Sequence, residues 1–178
     1  MDYKILSRII SGCLNPVLEE HLRPTQYWGF PGNTIMEAIA TVREAIAFAV
    51  FKKVPLCVLS LDFKNALDRI SHKYLYSTLR CYGISDLFID RLKKMYDGAT
   101  SSMQLNGHTY GPIPIRCAIW QGRPLSIVLY VLRLHPLLRM LEQRLPGIKI
   151  GRRARPTSIV AYADDITIFV TSTDDFPS

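Results

Sequence analysis

Residues 158–170 read Ser-Ile-Val-Ala-Tyr-Ala-Asp-Asp-Ile-Thr-Ile-Phe-Val, which is two short apolar runs separated by an Ala-Asp-Asp step. An adjacent pair of aspartates most often forms a polar turn at a loop tip. Here the flanking residues, Tyr162 and Ile166, belong to apolar sequence, where an unpaired carboxylate is costly. The pattern therefore predicts a β-hairpin whose turn presents Asp164 and Asp165 to a partner.

A third aspartate ends another apolar run earlier in the chain. Residues 56–61 are nearly all apolar, which suits a strand covered on both faces, and Asp62 terminates that strand. If this strand lies beside the hairpin, Asp62 approaches Asp164 and Asp165. Three converging carboxylates can hold two Mg²⁺ ions, because hard cations prefer oxygen ligands. Two such ions about 4 Å apart serve phosphoryl transfer, one at the attacking oxygen and one at the leaving oxygen.

The rest of the chain mixes helical and strand patterns, which predicts an α+β fold rather than a doubly wound parallel sheet. Helices are predicted over 3–20, 72–82 and 85–97. A further helix is predicted to follow a capping box at Thr34 and Glu37, and another to begin at Pro124. Alternation on both sides of Asn106-Gly107 predicts a second hairpin. The helix behind the capping box is expected to end before Pro55 and to bury Ile35, Ile39, Val42, Ile46 and Ala49.

Composition excludes several classes of protein. The chain has 178 residues, 48% of them hydrophobic and 21% charged, so it can bury a core and disorder is not expected. Its longest purely apolar run, Ala45–Phe51, is far shorter than the roughly 20 residues of a bilayer span, and no secretory signal is visible. We therefore expect no membrane partner and an intracellular protein of the nucleus or cytoplasm. The cysteines are too widely spaced for a zinc site and are expected to be buried thiols, at Cys13, Cys57, Cys81 and Cys117.

The charge balance favours an anionic partner. The net charge is +7, and nucleic acid is the commonest partner of a basic chain. The densest basic patch contains Arg152, Arg153 and Arg155, with Lys149 just before it. Such a patch is either a contact surface for nucleic acid or an ordinary solvated run of charge, and composition leaves both readings open.

Three motifs, in this order, resemble those of reverse transcriptases. Residues 61–69 (Leu-Asp-Phe-Lys-Asn-Ala-Leu-Asp-Arg) resemble the first aspartate motif, residues 121–126 (Gln-Gly-Arg-Pro-Leu-Ser) the middle motif, and residues 162–165 (Tyr-Ala-Asp-Asp) the Tyr-x-Asp-Asp box. The last motif alone is weak, but the ordered set is highly specific. The Asn106-Gly107 hairpin, together with Gly29-Phe30 ahead of the capping box, resembles the non-LTR, LINE-like retrotransposon enzymes.

That resemblance implies an RNA-directed DNA polymerase with a palm, in which an antiparallel sheet bearing the catalytic aspartates packs on helices. Residues 1–55 would form partial fingers and residues 56–178 the palm, with the thumb absent. The implied reaction is two-metal nucleotidyl transfer to a primer 3′-hydroxyl, with Mg²⁺, or alternatively Mn²⁺, as cofactor. The implied partners are an RNA template, a DNA primer and deoxynucleoside triphosphates. Without a thumb to hold the primer, the fragment is expected to be inactive alone.

The resemblance also implies roles for the residues around the aspartates. Asp62, Asp164 and Asp165 would be the catalytic metal ligands. Phe63 would be a steric gate whose ring occupies the space of a ribonucleotide 2′-hydroxyl, so that deoxynucleotides are selected. Core packing is the alternative role for Phe63.

Further roles concern the substrates. Gln121 and Gly122 would approach the nascent base pair, with glycine allowing close backbone contact. Tyr162 would lie near the primer end, although it could equally serve packing. The basic patch would contact template or primer through Arg152, Arg153 and Arg155.

Four departures from the family pattern keep an alternative open. Asn33 and Trp120 stand where the family commonly has Arg, Leu67 where it has Phe, and Arg123 where it has Cys. The alternative is a non-catalytic, nucleic-acid-binding remnant of a decayed element. An RNA-dependent RNA polymerase is a third possibility, which Phe63 disfavours, and a nucleotide cyclase would have no use for the middle motif.

Overall fold

A computed structural model describes residues 2–22, 25–28, 34–115, 117–150 and 156–171. These ranges contain helices and antiparallel strands, which confirms the mixed composition of the predicted fold. Backbone contacts divide the chain into two compact units, one formed by Met1–Lys64 with Arg123–Ser178 and the other by Asn65–Gly122. The assignment of residues 1–55 to fingers and 56–178 to a palm stays a prediction. In chain order the elements are α1 (Asp2–His21), α2 (Ile35–Lys52), β1 (Cys57–Leu61), α3 (His72–Cys81), α4 (Asp86–Tyr96), β2 (Thr100–Leu105), β3 (His108–Pro114), α5 (Pro124–Arg144), β4 (Ile159–Tyr162) and β5 (Asp165–Val170).

A three-stranded antiparallel sheet forms the centre of the first unit, in the order β1-β5-β4. β1 pairs with β5 so that Leu61 lies opposite Ile166 at the last pair. β4 and β5 form the hairpin predicted around the aspartate pair, and its two-residue turn is Ala163 and Asp164. The sheet therefore carries the predicted carboxylates at one of its ends.

Helix α2 covers one face of this sheet. The predicted capping box is present, with the Thr34 backbone N–H donating to the Glu37 carboxylate over 2.9 Å. The helix ends at Lys52, where Lys53 adopts a left-handed conformation with φ 54°. The predicted start and end of the helix before Pro55 are confirmed.

The buried face of α2 differs from the predicted one. Ala38, Ala45 and Ala49 are buried and form a cluster with Val160 and Phe169 of the sheet. Small side chains let a helix approach a sheet closely, so the alanine face packs inward and the larger residues turn away. Ala49 was correctly predicted and Val42 is half-buried against the cluster, but the prediction was wrong for three residues that are at least 42% exposed, Ile35, Ile39 and Ile46.

Helices α1 and α5 pack against each other and supply much of the remaining core of this unit. The Ser7 hydroxyl accepts a hydrogen bond from the backbone N–H of Leu125 over 3.3 Å, at the start of α5. By length and composition alone, α5 is the one helix in the described ranges that could cross a membrane. The length of the longest apolar run did not indicate this helix, because Arg133 and His135 interrupt its apolar residues without making the helix polar. Its apolar window is 56% buried inside the protein, which is the environment of a core helix.

The prediction that β1 is covered on both faces was wrong. β1 lies at the edge of the sheet, and Val58 and Leu59 are 39% and 38% exposed. An edge strand has a neighbouring strand on one side only, so its side chains contact the side chains of one strand and are more exposed than those of a central strand. The prediction of buried thiols was also wrong, because all four cysteines are free and exposed, at Cys13, Cys57, Cys81 and Cys117.

The second unit contains helices α3 and α4 and the hairpin β2-β3. Ser71 and Ser85 cap the two helices by accepting from backbone N–H groups in the first turn. The predicted hairpin is confirmed, and Asn106 and Gly107 in its turn have φ of 49° and 80°. Both of its strands are exposed along their length. The buried core of this unit comes mainly from its helices, through Leu75, Leu79, Ile89, Leu92 and Tyr96, with Ile70 and Ile119 from outside the helices.

Candidate functional site

The strand register brings the three predicted carboxylates to one end of the sheet. Asp62 follows Leu61, the last residue of β1 paired with β5, and so lies one position beyond that pair. The corresponding residue of β5 is Asp165, the first residue of that strand. Asp164 precedes it in the turn. All three aspartates are exposed, so their carboxylates are accessible to a ligand from solvent.

A buried tyrosine of α5 is affected by the charges of two of the aspartates. Tyr130 of α5 is 2% exposed, and burial raises the pKa of its hydroxyl to about 12. The charge of Arg133, whose guanidinium carbon lies 5.7 Å from the ring centroid, partly opposes this rise, whereas Asp164 and Asp62 both add to it. The negative charges of Asp62 and Asp164 thus both disfavour ionisation of the Tyr130 hydroxyl.

These carboxylates fit a divalent cation by chemical type. Three negative charges collect at one sheet end, and none has an ion-pair partner among the residues that the structure describes. Oxygen ligands of this kind suit Mg²⁺. Within the same ranges, however, no group of three acidic, histidine or cysteine side chains is already arranged as a metal site. Binding would therefore require the exposed aspartate side chains to rotate toward a common point.

A buried glutamine, which sequence reasoning missed, holds the turn that carries Asp164. Gln26 is 1% exposed, and its Oε1 accepts a hydrogen bond from the Ala163 N–H over 3.0 Å. Its Nε2 donates to the Ala163 carbonyl over 3.3 Å. Gln26 lies in a stretch without periodicity, 137 residues before Ala163, so no local signal pointed to this contact.

Two predicted substrate contacts lie beside the aspartates. Phe63 follows Asp62 directly and is half-buried. Tyr162 lies opposite Asp165 at the last pair of the hairpin and is also half-buried. Each residue is therefore a neighbour of an aspartate, Phe63 in the sequence and Tyr162 across the hairpin. Their roles as steric gate and primer contact stay predictions. Tyr162 and Asp165 also line a cavity of about 280 Å³, together with Arg43 and apolar residues of α2.

Gln121 and Gly122 belong to the second unit. The Gln121 Nε2 donates to the Asp68 carboxylate over 3.3 Å, and the Ile119 N–H donates to the Leu67 carbonyl over 2.9 Å. Gly122 has φ 74°, a conformation that disfavours residues with a side chain. Residues 119–121 are thus hydrogen-bonded to Leu67 and Asp68, near the end of the first aspartate motif.

The basic patch is outside the part of the chain that the structure describes. Arg152, Arg153 and Arg155 fall in the range 151–155, so their contact with template or primer stays a prediction. Neighbouring Lys149 is described and is exposed. Asn33, one of the four departures from the family pattern, also lies outside the described ranges.

Comparison with known proteins identifies relatives along nearly the whole chain. The family described as "Reverse transcriptase (RNA-dependent DNA polymerase)" matches residues 1–177. The chain is 36% identical over 167 residues to the "Transposon TX1 uncharacterized 149 kDa protein" of Xenopus laevis, covering 94% of this chain and 13% of that protein. It is 30% identical over 162 residues to the "Retrovirus-related Pol polyprotein from type-2 retrotransposable element R2DM" of Drosophila melanogaster, covering 88% of this chain and 15% of that protein. The chain thus spans less than a fifth of the length of either relative.

Proposed function

The chain belongs to the reverse transcriptase family, and from this premise we propose that it supplies the catalytic residues for two-metal nucleotidyl transfer to a primer 3′-hydroxyl. Its relatives are proteins of non-LTR retrotransposons, and the family description supports an RNA-directed DNA polymerase. The observation that carries the proposal is the register that brings Asp62 level with Asp165 beside the Asp164 turn.

The three aspartates are the proposed ligands of two Mg²⁺ ions, with Mn²⁺ as a substitute. The bound ions would activate the primer hydroxyl and stabilise the leaving oxygen. The chain contributes the geometry, because β1 and β5 hold Asp62 and Asp165 on adjacent strands and the turn presents Asp164. Exposure of all three carboxylates leaves room for a triphosphate to reach the ions.

Other residues are proposed to contact the substrates. Phe63, next to Asp62, would exclude a ribonucleotide 2′-hydroxyl, and Tyr162 would lie near the primer end. Gln121 and Gly122 would approach the nascent base pair. An RNA template and a DNA primer would be held in part by the basic patch, through Arg152, Arg153 and Arg155. Residues 1–55 would act as partial fingers and residues 56–178 as the palm.

A non-catalytic role in nucleic-acid binding is the second candidate. It is favoured by one observation, that the described side chains do not already converge as a metal site. In that case binding of nucleic acid would require neither the aspartates nor Mg²⁺. Neutralising the aspartates would instead strengthen binding slightly, because three negative charges near a phosphate backbone would be removed.

Primer extension on an RNA template tests the two candidates. We would assay the 178-residue chain, and also a chimaera in which it replaces the matching segment of the Drosophila relative. Extension by either protein should require Mg²⁺ and should fall about 1,000-fold in Asp164→Asn, since metal-held charge stabilisation is worth several kcal/mol. Nucleic-acid binding with no extension by either protein would favour the non-catalytic role.

The same assay tests the gate. In whichever protein extends the primer, Phe63→Ala should admit ribonucleotides and leave the use of deoxynucleotides largely intact. Phe63→Tyr, which keeps the ring, is the matched control and should retain discrimination. Equal discrimination in the parent and in Phe63→Ala would assign Phe63 to packing.

A further inference from the structure

We propose that Gln26 is a positioning residue, which holds a strained turn in the shape that lets Asp164 bind metal. This inference rests on the proposed function, because it concerns the same aspartate site. It adds a residue outside all three motifs that carry the family resemblance.

The turn between β4 and β5 is strained at Ala163. A two-residue hairpin turn requires positive φ at its first position, where glycine or asparagine is favoured. Ala163 occupies that position with φ 54°. A residue with a β-carbon pays an energetic penalty in this region, so the conformation persists only where surrounding groups enforce it.

Gln26 supplies that enforcement by binding both polar groups of the Ala163 residue. Its Oε1 accepts from the Ala163 N–H and its Nε2 donates to the Ala163 carbonyl, over 3.0 and 3.3 Å. Oε1 also accepts from the Trp28 N–H over 3.1 Å. Because Oε1 faces two N–H donors and Nε2 faces a carbonyl, the hydrogen-bond network fixes which way the amide points. We call these contacts the Gln26 clamp.

The backbone on either side keeps the clamp in place. The Thr25 backbone carbonyl accepts from the Ala161 N–H over 2.9 Å, and the Tyr27 N–H donates to the Ala161 carbonyl over 2.8 Å. Gln26 and Ala161 therefore form a parallel bridge between residues 25–28 and β4. Residues 25–28 are thus bound to β4 at Ala161, two residues before Ala163. The Gln26 side chain is therefore close enough to bind the Ala163 backbone.

Loss of the clamp would act on Asp164 through the adjoining peptide. Without Gln26 the Ala163 N–H and carbonyl lose their partners, and the backbone is free to leave the positive φ region. Asp164 follows Ala163 directly, so its carboxylate would move away from Asp62. Gln26 does not touch metal or substrate in this scheme. Its effect is on the placement of a ligand, and removal of such outer contacts typically weakens metal affinity 10–100-fold.

Mn²⁺ affinity of the 178-residue chain, measured by electron paramagnetic resonance, tests the proposal together with amide exchange at Ala163. Gln26→Leu removes all three hydrogen bonds and keeps an apolar side chain of similar length. We expect Mn²⁺ affinity to fall about 10-fold, and exchange of the Ala163 N–H to accelerate by at least a similar factor. Unchanged exchange and affinity in a folded Gln26→Leu protein would overturn the proposal.

Two further variants separate positioning from a general structural role. Gln26→Leu combined with Ala163→Gly relieves the strain without restoring the clamp, and should recover most of the lost Mn²⁺ affinity. Thr25→Val is the matched control in the same segment, because the Thr25 hydroxyl is buried with no hydrogen-bond partner among the described residues. Thr25→Val should keep the parental affinity. An equal loss in Thr25→Val, or no recovery with Ala163→Gly, would contradict the positioning role.

Two more variants cover a Gln26→Leu protein that does not fold and a failure of the metal site itself. If Gln26→Leu does not fold, Gln26→Met replaces it, because it also removes the three hydrogen bonds and keeps a side chain of similar length. Faster exchange of the Ala163 N–H and weaker Mn²⁺ affinity are then expected, and unchanged exchange and affinity would overturn the proposal. Asp164→Asn distinguishes this inference from the proposed function. If Asp164→Asn leaves Mn²⁺ affinity unchanged, the proposed metal site fails, whereas a loss in Asp164→Asn without a loss in Gln26→Leu refutes only the clamp.

Discussion

The two hairpins of this molecule have turns of the same length that are held in different ways. In the β2-β3 hairpin, Asn106 and Gly107 adopt φ of 49° and 80°, which both residue types tolerate. In the β4-β5 hairpin, Ala163 adopts φ 54° at a position that disfavours alanine, and Gln26 binds its backbone. The first turn is specified by its own residues. The second carries the aspartates and depends on a distant side chain, so the conformation of a functional turn is maintained by tertiary contacts.

The largest expected effect is the pH dependence of stability in the unit that contains the second hairpin. It arises in helix α5, which contacts β4. Burial, with smaller contributions from the charges of Arg139 and His21, lowers the pKa of His135 in α5 to about 4. The unfolded chain titrates near 6.5, so it binds more protons than the folded protein between pH 6.5 and 4. The free energy of unfolding of the first unit should therefore fall over that range by up to about 3 kcal/mol.

Amide exchange at pH 7, 5 and 4 would check this expectation. Protection in α5 and β4 should decrease as the pH is lowered, after correction for the intrinsic exchange rate. His135→Gln, which cannot take up a proton, should remove most of the decrease. An equal pH dependence in the parent and in His135→Gln would assign acid sensitivity to other groups.

A swap of turn residues tests whether the first hairpin lacks outside support. Replacing Asn106-Gly107 by Ala-Asp puts alanine where asparagine tolerates positive φ, and a β-carbon where glycine has none, at a cost of about 1–2 kcal/mol. Protection of the β2-β3 amides should be lost, since a two-stranded hairpin is marginal by itself. Asn106→Asp is the control, because Asp-Gly also favours this turn, and it should preserve protection. Full protection after the swap would show that the hairpin has its own tertiary support.

The smallest expected effect is of opposite sign and lies at the other turn. Ala163→Gly relieves about 1–2 kcal/mol of backbone strain and adds about 0.5–1 kcal/mol of chain entropy to be lost on folding. We expect a net stabilisation of about 0.5 kcal/mol by urea denaturation. Ala161→Gly, at a buried position of β4 without positive φ, is the matched control and should destabilise. Destabilisation by both substitutions alike would mean that Ala163 is not strained.

Local chemistry made much of the fold predictable from the sequence. Thr34 and Glu37 fixed the start of α2, Asn106-Gly107 fixed one hairpin, and apolar runs around the Asp-Asp pair predicted the other. The ordered motifs also indicated the family correctly. The capping box and the two hairpin turns depend on residues within a few positions of one another. The family is indicated by the residue types in the motifs, without reference to any contact.

The features that were missed depend on which surfaces meet. The inward face of α2 is set by how closely Ala38 and Ala45 let it approach the sheet, and helical periodicity alone favoured the larger isoleucines. The exposure of Val58 and Leu59 follows from the edge position of β1, which composition does not reveal. Gln26 is the clearest case in the site, because a polar residue in a loop gives no sign that it will be buried against Ala163.

The discontinuity of the first unit also has a consequence for synthesis on the ribosome. Met1–Lys64 emerges well before Arg123–Ser178, with which it forms one compact body, while Asn65–Gly122 is a contiguous insertion. Gln26 precedes Ala163 by 137 residues, so at about 5–20 residues per second it waits roughly 7–27 s for its partner. During that interval α2 has no β4 or β5 to cover its alanine face. The nascent chain is thus a candidate for chaperone holding at this stage, and the inserted unit is free to fold first.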